Sequence, residues 1–485
     1  MPHMSDNLKQ RAVSGAIWYG GSRFAVQGIT WAITILVARI LTPSDYGLMG
    51  FAFLVTGMAD LISELGIGAA IIQRQDLDNE DLSALFWFSL ALSLFIYLIG
   101  WLAAPLIAIF FKQQALALIL RVLMLSFLIS SLRIISANLL TKRIEFKHRS
   151  IIETVANIIA ALSTLGMTYT GFGVWSLIWG ILIRQAMQTV GCQFLQPWWP
   201  KRRFTWTRLR KVMGFGLNVS AGRVAWYAYS NADFLVVGKL LGQQALGMYT
   251  MVFQLATMPL DRIMSVINQV AFPIYSELQS QPERLKRYFL KIATLVSLII
   301  FPILAGAFLI LDVAVPLLLT TKWAPIVIPL KIMCPVAILM SISHISSPAV
   351  LAAGRPDLTL KYNLVCLAML PIGFAVGTRF DIVGVCWAWL ILYPWITLFY
   401  YIKVKQVLGF GWIEFLQALA PATLSTVIML VCGFLARWTI SGIFVNYVEL
   451  LALIGLGILS YFTILIWRYR AELIEFKLLL GNRIR

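Results

Sequence analysis

Long apolar runs follow one another along almost the whole chain, and they limit its fold more than any other feature. A helical membrane span needs about 20 mostly apolar residues. Roughly fourteen such stretches can be drawn, at residues 14–38, 46–71, 82–111, 115–140, 151–170, 173–195, 214–241, 245–272, 288–311, 325–352, 358–377, 382–402, 413–436 and 445–467. They are too long and continuous for the short alternating segments of a transmembrane β-barrel. Only 12% of the 485 residues are charged and 60% are hydrophobic, whereas soluble domains carry about 25% charged residues. The expected fold is all-α and polytopic. Residues 1–10 are polar and the first run is long enough to span, so span 1 is expected to be retained rather than cleaved as a signal.

The chain also repeats itself. Displaced by 200 positions without a gap, Arg23-Phe24-Ala25 falls on Arg223-Val224-Ala225, Val37 to Leu41 falls on Val237 to Leu241, and Gly47 falls on Gly247. Nine of the 45 positions from Arg23 to Ile67 are identical, and Arg39 exchanges for Lys239. An arginine well inside an apolar run costs roughly 2.5 to 3.5 kcal/mol to insert, yet it recurs at the same depth in both copies. Internal repetition of hydrophobic segments is a common way of building transporters.

The formal net charge of +18 could suggest nucleic acid, but its distribution points elsewhere. With the N-terminus in the cytosol and fourteen spans following, 26 of the 39 Lys and Arg residues fall on the cytosolic side and six on the other. That asymmetry is what the positive-inside rule predicts, and it puts both termini in the cytosol. The partners this charge implies are anionic membrane lipids, not nucleic acid. Five cysteines, Cys192, Cys334, Cys366, Cys386 and Cys432, lie in or beside apolar runs without paired histidines. No metal site and no cofactor is expected.

Six spans end at Pro197-Trp198-Trp199-Pro200, and the cationic stretch Lys201 to Lys211 follows. That stretch reads as a short helix lying on the cytosolic headgroups. The expected organisation is residues 1–200 as an N-lobe, 201–213 as a basic amphipathic linker, 214–405 as a C-lobe, and 406–485 as two extra spans with a cytosolic tail. Because six is even, span 7 re-enters from the same side as span 1, and the two six-helix lobes are parallel repeats about an axis along the membrane normal. Connections of about 3 to 20 residues hold no nucleotide-binding domain, and no phosphate-binding G-x-x-x-x-G-K-[ST] motif occurs.

Two stretches carry a family resemblance: Leu36 to Gly47 (Leu-Val-Ala-Arg-Ile-Leu-Thr-Pro-Ser-Asp-Tyr-Gly) and Asp60 to Arg74 (Asp-Leu-Ile-Ser-Glu-Leu-Gly-Ile-Gly-Ala-Ala-Ile-Ile-Gln-Arg). With Thr141 to Phe146, Ala271-Phe272-Pro273 and Lys322-Trp323, they resemble the polysaccharide-transport branch of the multidrug/oligosaccharidyl-lipid/polysaccharide flippase superfamily, nearest the colanic-acid exporter type. The resemblance implies two six-helix lobes in a V, with spans 1, 2, 7 and 8 around a central cavity and two additional C-terminal helices. It implies an oligosaccharide repeat unit on undecaprenyl pyrophosphate as substrate, turned across a bacterial inner membrane by alternating access for surface-polysaccharide assembly. Other polysaccharide-assembly proteins would then be partners. The implied protein is a transporter and not an enzyme; the alternative is an ion-coupled exporter of a small amphipathic molecule or drug.

The candidate residues follow from depth and charge. Arg23 lies about nine residues into span 1, so about 13 Å deep in a core of roughly 30 Å, and Arg223 occupies the equivalent place in span 7. A buried guanidinium needs a partner or a watery cavity, and its fork matches phosphate oxygens. Arg23, Arg223 and Arg184, the last about midway along span 6, are the substrate-binding candidates. Asp60 and Glu64 share a helix face at i,i+4. Asp60, Glu64 and Asp261 read either as an ion-coupling site for H+ or Na+ or as structural ion-pair partners of the arginines, and Asp261, followed directly by Arg262, reads equally as having a local role at the lobe interface. Arg121 and Lys331 sit near the outer ends of their spans, where snorkelling suffices. The charge pattern places residues 201–211 inside the cell and the loop around Lys322 outside. In a cysteine-free background, Lys322→Cys should therefore react with an impermeant thiol reagent added to whole cells, and Thr205→Cys should not.

Overall fold

The structure is a computed structural model that describes residues 28, 30–64, 67, 68, 71, 77–143, 146–201, 226–440 and 446–469. The described residues are almost entirely helical and contain no strand. Hydrocarbon offers a backbone amide no water to bond, so a spanning segment must bond within itself. In chain order the helices are α1 (Thr30–Ile40), α2 (Pro43–Glu64), α3 (Asn79–Phe110), α4 (Ala115–Leu123), α5 (Leu125–Ser131), α6 (Ile134–Lys142), α7 (Phe146–Tyr169), α8 (Val174–Leu195), α9 (Ala232–Leu240), α10 (Gln243–Glu277), α11 (Pro282–Leu319), α12 (Val327–Ala352), α13 (Pro356–Gly377), α14 (Asp381–Leu408), α15 (Trp412–Ile440) and α16 (Asn446–Arg468).

Local chemistry sets many of the boundaries. Asp78 caps α3, accepting from the amides of Glu80 and Asp81 at 2.8 and 2.7 Å, while Asp81 accepts from the Asp78 amide at 3.2 Å; this reciprocal pair satisfies donors that the first turn leaves open. Pro356 opens α13, where its missing N–H is no loss. Gly409 ends α14 in the left-handed region at φ 72°.

Eight described helical stretches are long and apolar enough to cross a membrane, or nine if the pair 115–131 and 134–142, bent by 47°, is one span. One of the eight, residues 356–408, is α13 and α14 folded back on each other. Tyr362 meets Tyr400 at a ring separation of 4.6 Å, and Gly377 packs on the backbone of Gly384. The chain is thus a multi-pass helical membrane protein. Its outward surface is apolar, with Ile109, Trp438 and Trp467 among the most exposed side chains. In a soluble protein an apolar surface of this extent would be a liability; here it meets lipid.

The chain packs as two compact units, Met1–Gly247 and Met248–Arg485. In the first, α7 lies along α8, and the Thr168 hydroxyl donates to Ser176 at 2.9 Å. In the second, α11 is the central helix, packed on α12, α15 and α16. Phe289 of α11 stacks on Phe410 and Phe415 at 5.4 and 6.3 Å. The Trp389 indole donates to the buried Tyr249 hydroxyl at 3.0 Å.

One ionic cluster ties α15 to this unit. Asp312 of α11 contacts Lys331 of α12 at 2.6 Å and Arg437 of α15 at 2.5 Å, and Arg437 also donates to the Leu309 carbonyl at 3.1 Å. Lys331 therefore does not merely snorkel, as its position near a span end had suggested; it has a carboxylate partner on the neighbouring helix. Asp312→Asn leaves two cations facing a neutral amide and should cost about 1.5 to 3 kcal/mol, the range for hydrogen bonds to charged groups. The expected reading is a lower thermal unfolding midpoint in detergent; an unchanged midpoint would mean that the cluster contributes no stability.

Candidate functional site

The two copies of the sequence repeat meet at the starts of α2 and α10. Thr42 and Asp45 fix the entry to α2: the Thr42 amide and hydroxyl donate to Asp45 at 2.9 and 2.7 Å, and the Asp45 amide donates back to the Thr42 hydroxyl at 3.2 Å. The next turn brings Gly47 against the other copy. A Cβ on Gly47 would stand 1.9 Å from the carbonyl oxygen of Gln243, and a Cβ on Gly247 would stand 1.7 Å from that of Pro43. Positions 43 and 243 are repeat mates, as are 47 and 247, so the contact is reciprocal, as a local two-fold axis requires. The Gln243 amide also donates to the Ser44 carbonyl at 2.8 Å. Beside this seam Lys239, the mate of Arg39, lies 3.7 Å from the Phe110 ring centre and donates to the Phe110 carbonyl.

Further along α2, the Tyr227 hydroxyl donates to the carbonyls of Phe53 and Leu54 at 3.0 and 3.1 Å. Its ring fits only because Gly57 has no side chain: a Cβ there would meet the hydroxyl at 2.3 Å. A recess of about 550 Å³ opens here, lined by Met58, Leu106, Phe110, Tyr227, Asn231 and Leu235 among others. Asp60 is exposed on the same helix, near enough to interact electrostatically with Tyr227. Arg23 and Arg223 lie outside the described residues, as does the side chain of Glu64. Asp261 and Arg262 are adjacent and exposed on α10, with Asp261 beside Thr257 one turn earlier.

Arg184 belongs to a polar seam inside the first unit. It is exposed and lies near enough to Arg133 for the two charges to interact. Arg133 donates to Gln188 and, at 2.8 Å, to Gln185. The seam continues along α8: Ser136 donates to Gln193 at 2.9 Å and Arg143 to Gln196 at 2.9 Å. Arg149 of α7 joins it through Thr141 at 2.7 Å and Glu153 at 2.9 Å. Sequence reasoning had singled out Arg184 and missed the glutamines. The signal was partly present, because Gln185 and Gln188 are three residues apart and Gln193 lies eight residues after the first, within one broad face of α8. Arg121 lies 4.3 Å over the Trp101 ring, a cation–π contact rather than simple snorkelling. Among the described residues no group of three or more His, Cys, Asp or Glu could hold a metal ion.

A helical, multi-pass chain whose two sequence repeats pack reciprocally at Gly47 and Gly247 has the internally repeated architecture from which many membrane transporters are built. Residues 36–328, more than half of the chain, match the family described as polysaccharide biosynthesis protein, and the chain belongs to that family. It is 26% identical to the lipopolysaccharide biosynthesis protein WzxC of Escherichia coli over 421 residues, 85% of each chain. It is 24% identical to the teichuronic acid biosynthesis protein TuaB of Bacillus subtilis over 80% of each, and 21% identical to the succinoglycan biosynthesis transport protein ExoT of Rhizobium meliloti over 63% of this chain and 62% of that one. Among solved structures, the lipid II flippase MurJ in an inward closed conformation superposes with a TM-score of 0.77 at 16% identity, over 94% of this chain and 99% of its own. An inward-facing MATE-family transporter superposes at 0.60 over 78% and 94%, also at 16% identity. These two likenesses concern the fold.

The glycine seam leaves no room for a methyl group. Gly47→Ala or Gly247→Ala must push backbone from backbone, and overpacking of this kind costs typically about 1 to 3 kcal/mol. With Ser44→Cys and Gln243→Cys in a cysteine-free background, a short bifunctional thiol reagent should bridge the two helices. Adding Gly47→Ala should lower the bridged fraction several-fold on a denaturing gel; an undiminished yield would show that the seam tolerates a side chain.

Proposed function

We propose that this protein is a flippase that moves a lipid-linked oligosaccharide across a bacterial inner membrane for surface-polysaccharide biosynthesis. One observation carries the reading: the family match covers residues 36–328, and relatives aligned over most of this chain are named for the biosynthesis or transport of surface polysaccharides. The fold it shares with a lipid II flippase supports movement of a lipid-linked glycan rather than its synthesis, so the protein is a transporter and not an enzyme.

The finer points are parts of the same proposal. The carrier lipid is undecaprenyl pyrophosphate, and transport proceeds by alternating access between two six-helix lobes, residues 1–200 and 214–405, joined by the basic linker 201–213. Fourteen spans with both termini in the cytosol account for the charge asymmetry, and residues 406–485 supply the last two spans and tail. In that orientation the Gly47–Gly247 seam lies at the outer end of the spans. Arg23 and Arg223 hold the pyrophosphate, with Arg184 contacting the headgroup. Asp60, Glu64 and Asp261 either couple transport to H+ or Na+ or pair with the arginines, and Asp261 with its neighbour Arg262 otherwise has a local role between the lobes.

The test is export in a strain lacking the gene, complemented with variants. Accumulation of an undecaprenyl-linked repeat on the inner leaflet of the deletion strain is expected; unchanged lipid-linked glycans would remove the flippase reading. Each charge-assisted contact to phosphate is worth roughly 1.5 to 3 kcal/mol, so Arg23→Ala or Arg223→Ala should slow export by about one to two orders of magnitude at limiting substrate. Arg→Lys should recover only part of it, because a point charge loses the bidentate fit. Normal export by a stably expressed double Arg→Ala variant would leave the transporter without this phosphate site.

A further inference from the structure

A recess of about 640 Å³ lies between the ends of α13 and α14, apart from the residues to which transport has been assigned. Because the two helices are antiparallel, Arg355 and Lys361 on the first come level with Lys403 on the second, while Val365 comes level with Ile396 deeper in the recess. Its two ends therefore differ in chemistry. At the charged end, Arg355 makes a two-pronged contact with Asp357 at 2.9 and 3.1 Å, which holds the guanidinium above its ordinary pKa, and Lys361 stands 3.6 Å from the same carboxylate. One carboxylate against three cations leaves excess positive charge, and the first turn of α13 adds the partial charge of a helix start. Lys403 is exposed and makes no hydrogen bond or ion pair among the described residues.

At the apolar end the recess opens sideways. Its inner wall is Leu358, Ile396 and Tyr400, all buried, whereas Phe399 is 68% exposed and Val365 is 44% exposed at its mouth. A free phosphate would satisfy the cations and leave the apolar half empty; a hydrocarbon alone would leave the cations unmatched. An amphiphile with an anionic head satisfies both ends, and basic pockets between membrane helices on the cytosolic side bind such headgroups.

We propose that this recess is a binding site for one anionic phospholipid, its phosphate on Lys361 and Lys403 and an acyl chain along Val365, Ile396 and Phe399. The lipid comes from the cytosolic leaflet if the charge-based orientation holds. Binding by the purified protein does not depend on that orientation, nor on the transported substrate, so the failure of either reading would be told apart from the failure of this one.

The experiment is titration of the full-length protein in neutral detergent with phosphatidylglycerol, phosphatidylcholine or inorganic phosphate, followed by native mass spectrometry and by thermal unfolding. The expected result is one tightly held phosphatidylglycerol that neither phosphatidylcholine nor phosphate replaces. A lysine near an anionic lipid surface contributes enough that Lys403→Gln should weaken binding about five-fold, and Lys361→Gln with Lys403→Gln about thirty-fold. The double Lys→Arg variant should stay within a few-fold of the native protein. Lys403→Gln alters an exposed side chain without partners, so its unfolding midpoint without lipid should not change; it keeps the test informative if the double variant folds poorly. Undiminished phosphatidylglycerol binding by Lys403→Gln, or phosphate binding as tight as that of the lipid, would overturn the proposal.

Discussion

In hydrocarbon a polar group has only the rest of the protein to bond to, and the arrangement of this molecule follows from that constraint. Backbone amides are absorbed by the helices. Side-chain charges must be absorbed by one another, by carbonyls or by ring faces, and the described cations show each solution. Arg133 takes two glutamine amides, Lys331 and Arg437 share Asp312, Lys239 takes a carbonyl and the Phe110 ring, and Arg121 lies over Trp101. These contacts join neighbouring helices, α6 to α8 through Arg133 and α11 to α12 and α15 through Asp312. Apolar packing cannot do so alone, because lipid tails are as apolar as leucine.

Close backbone approach is the complementary device. Without a strong hydrophobic drive between helices, small residues that let helices touch gain in importance. Gly47 and Gly247 bring the starts of α2 and α10 so near that neither can carry a methyl group, and Gly377 and Gly384 do the same where α13 turns into α14. The first pair has an added property. Because its members are repeat mates, the same close approach occurs twice, Gly47 on Gln243 and Gly247 on Pro43. A seam of that kind is set by backbone against backbone, so it tolerates less variation at either point than a contact between flexible side chains would.

The fold was largely legible, because its dominant signal, a long apolar run with breakers at its ends, is local. The stretches expected at 358–377 and 382–402 correspond to α13 and α14, and the one expected at 413–436 falls within α15. The repeat register was legible too, and it paired position 47 with 247. It could not reveal that these mates touch, since an offset between two copies says nothing about the axis that relates them. Partners were the least legible part. Asp312 meets a lysine 19 residues away and an arginine 125 residues away, and no single sequence holds that information. The glutamines around Arg133 were overlooked for a different reason: attention went to formal charge, although a buried amide needs a hydrogen-bond partner too.

The net charge of +18 also raises the question of what the cations beyond the span ends contact. Positive-inside bias requires only that cations collect beyond the span ends; it does not specify what they contact there. Once a helix pair is antiparallel and its facing residues taper from Phe399 and Val365 to Lys361 and Lys403, cations at a span end become one end of an amphiphilic recess. Lys286 shows the other fate of such a residue, neutralised by Glu283 at 3.1 Å and Glu414 at 3.5 Å. What separates the two cases is the local supply of carboxylates. Where acids match the cations, the span end ties one helix to another. Where Asp357 alone faces Arg355, Lys361 and Lys403, charge is left over for a lipid headgroup to meet.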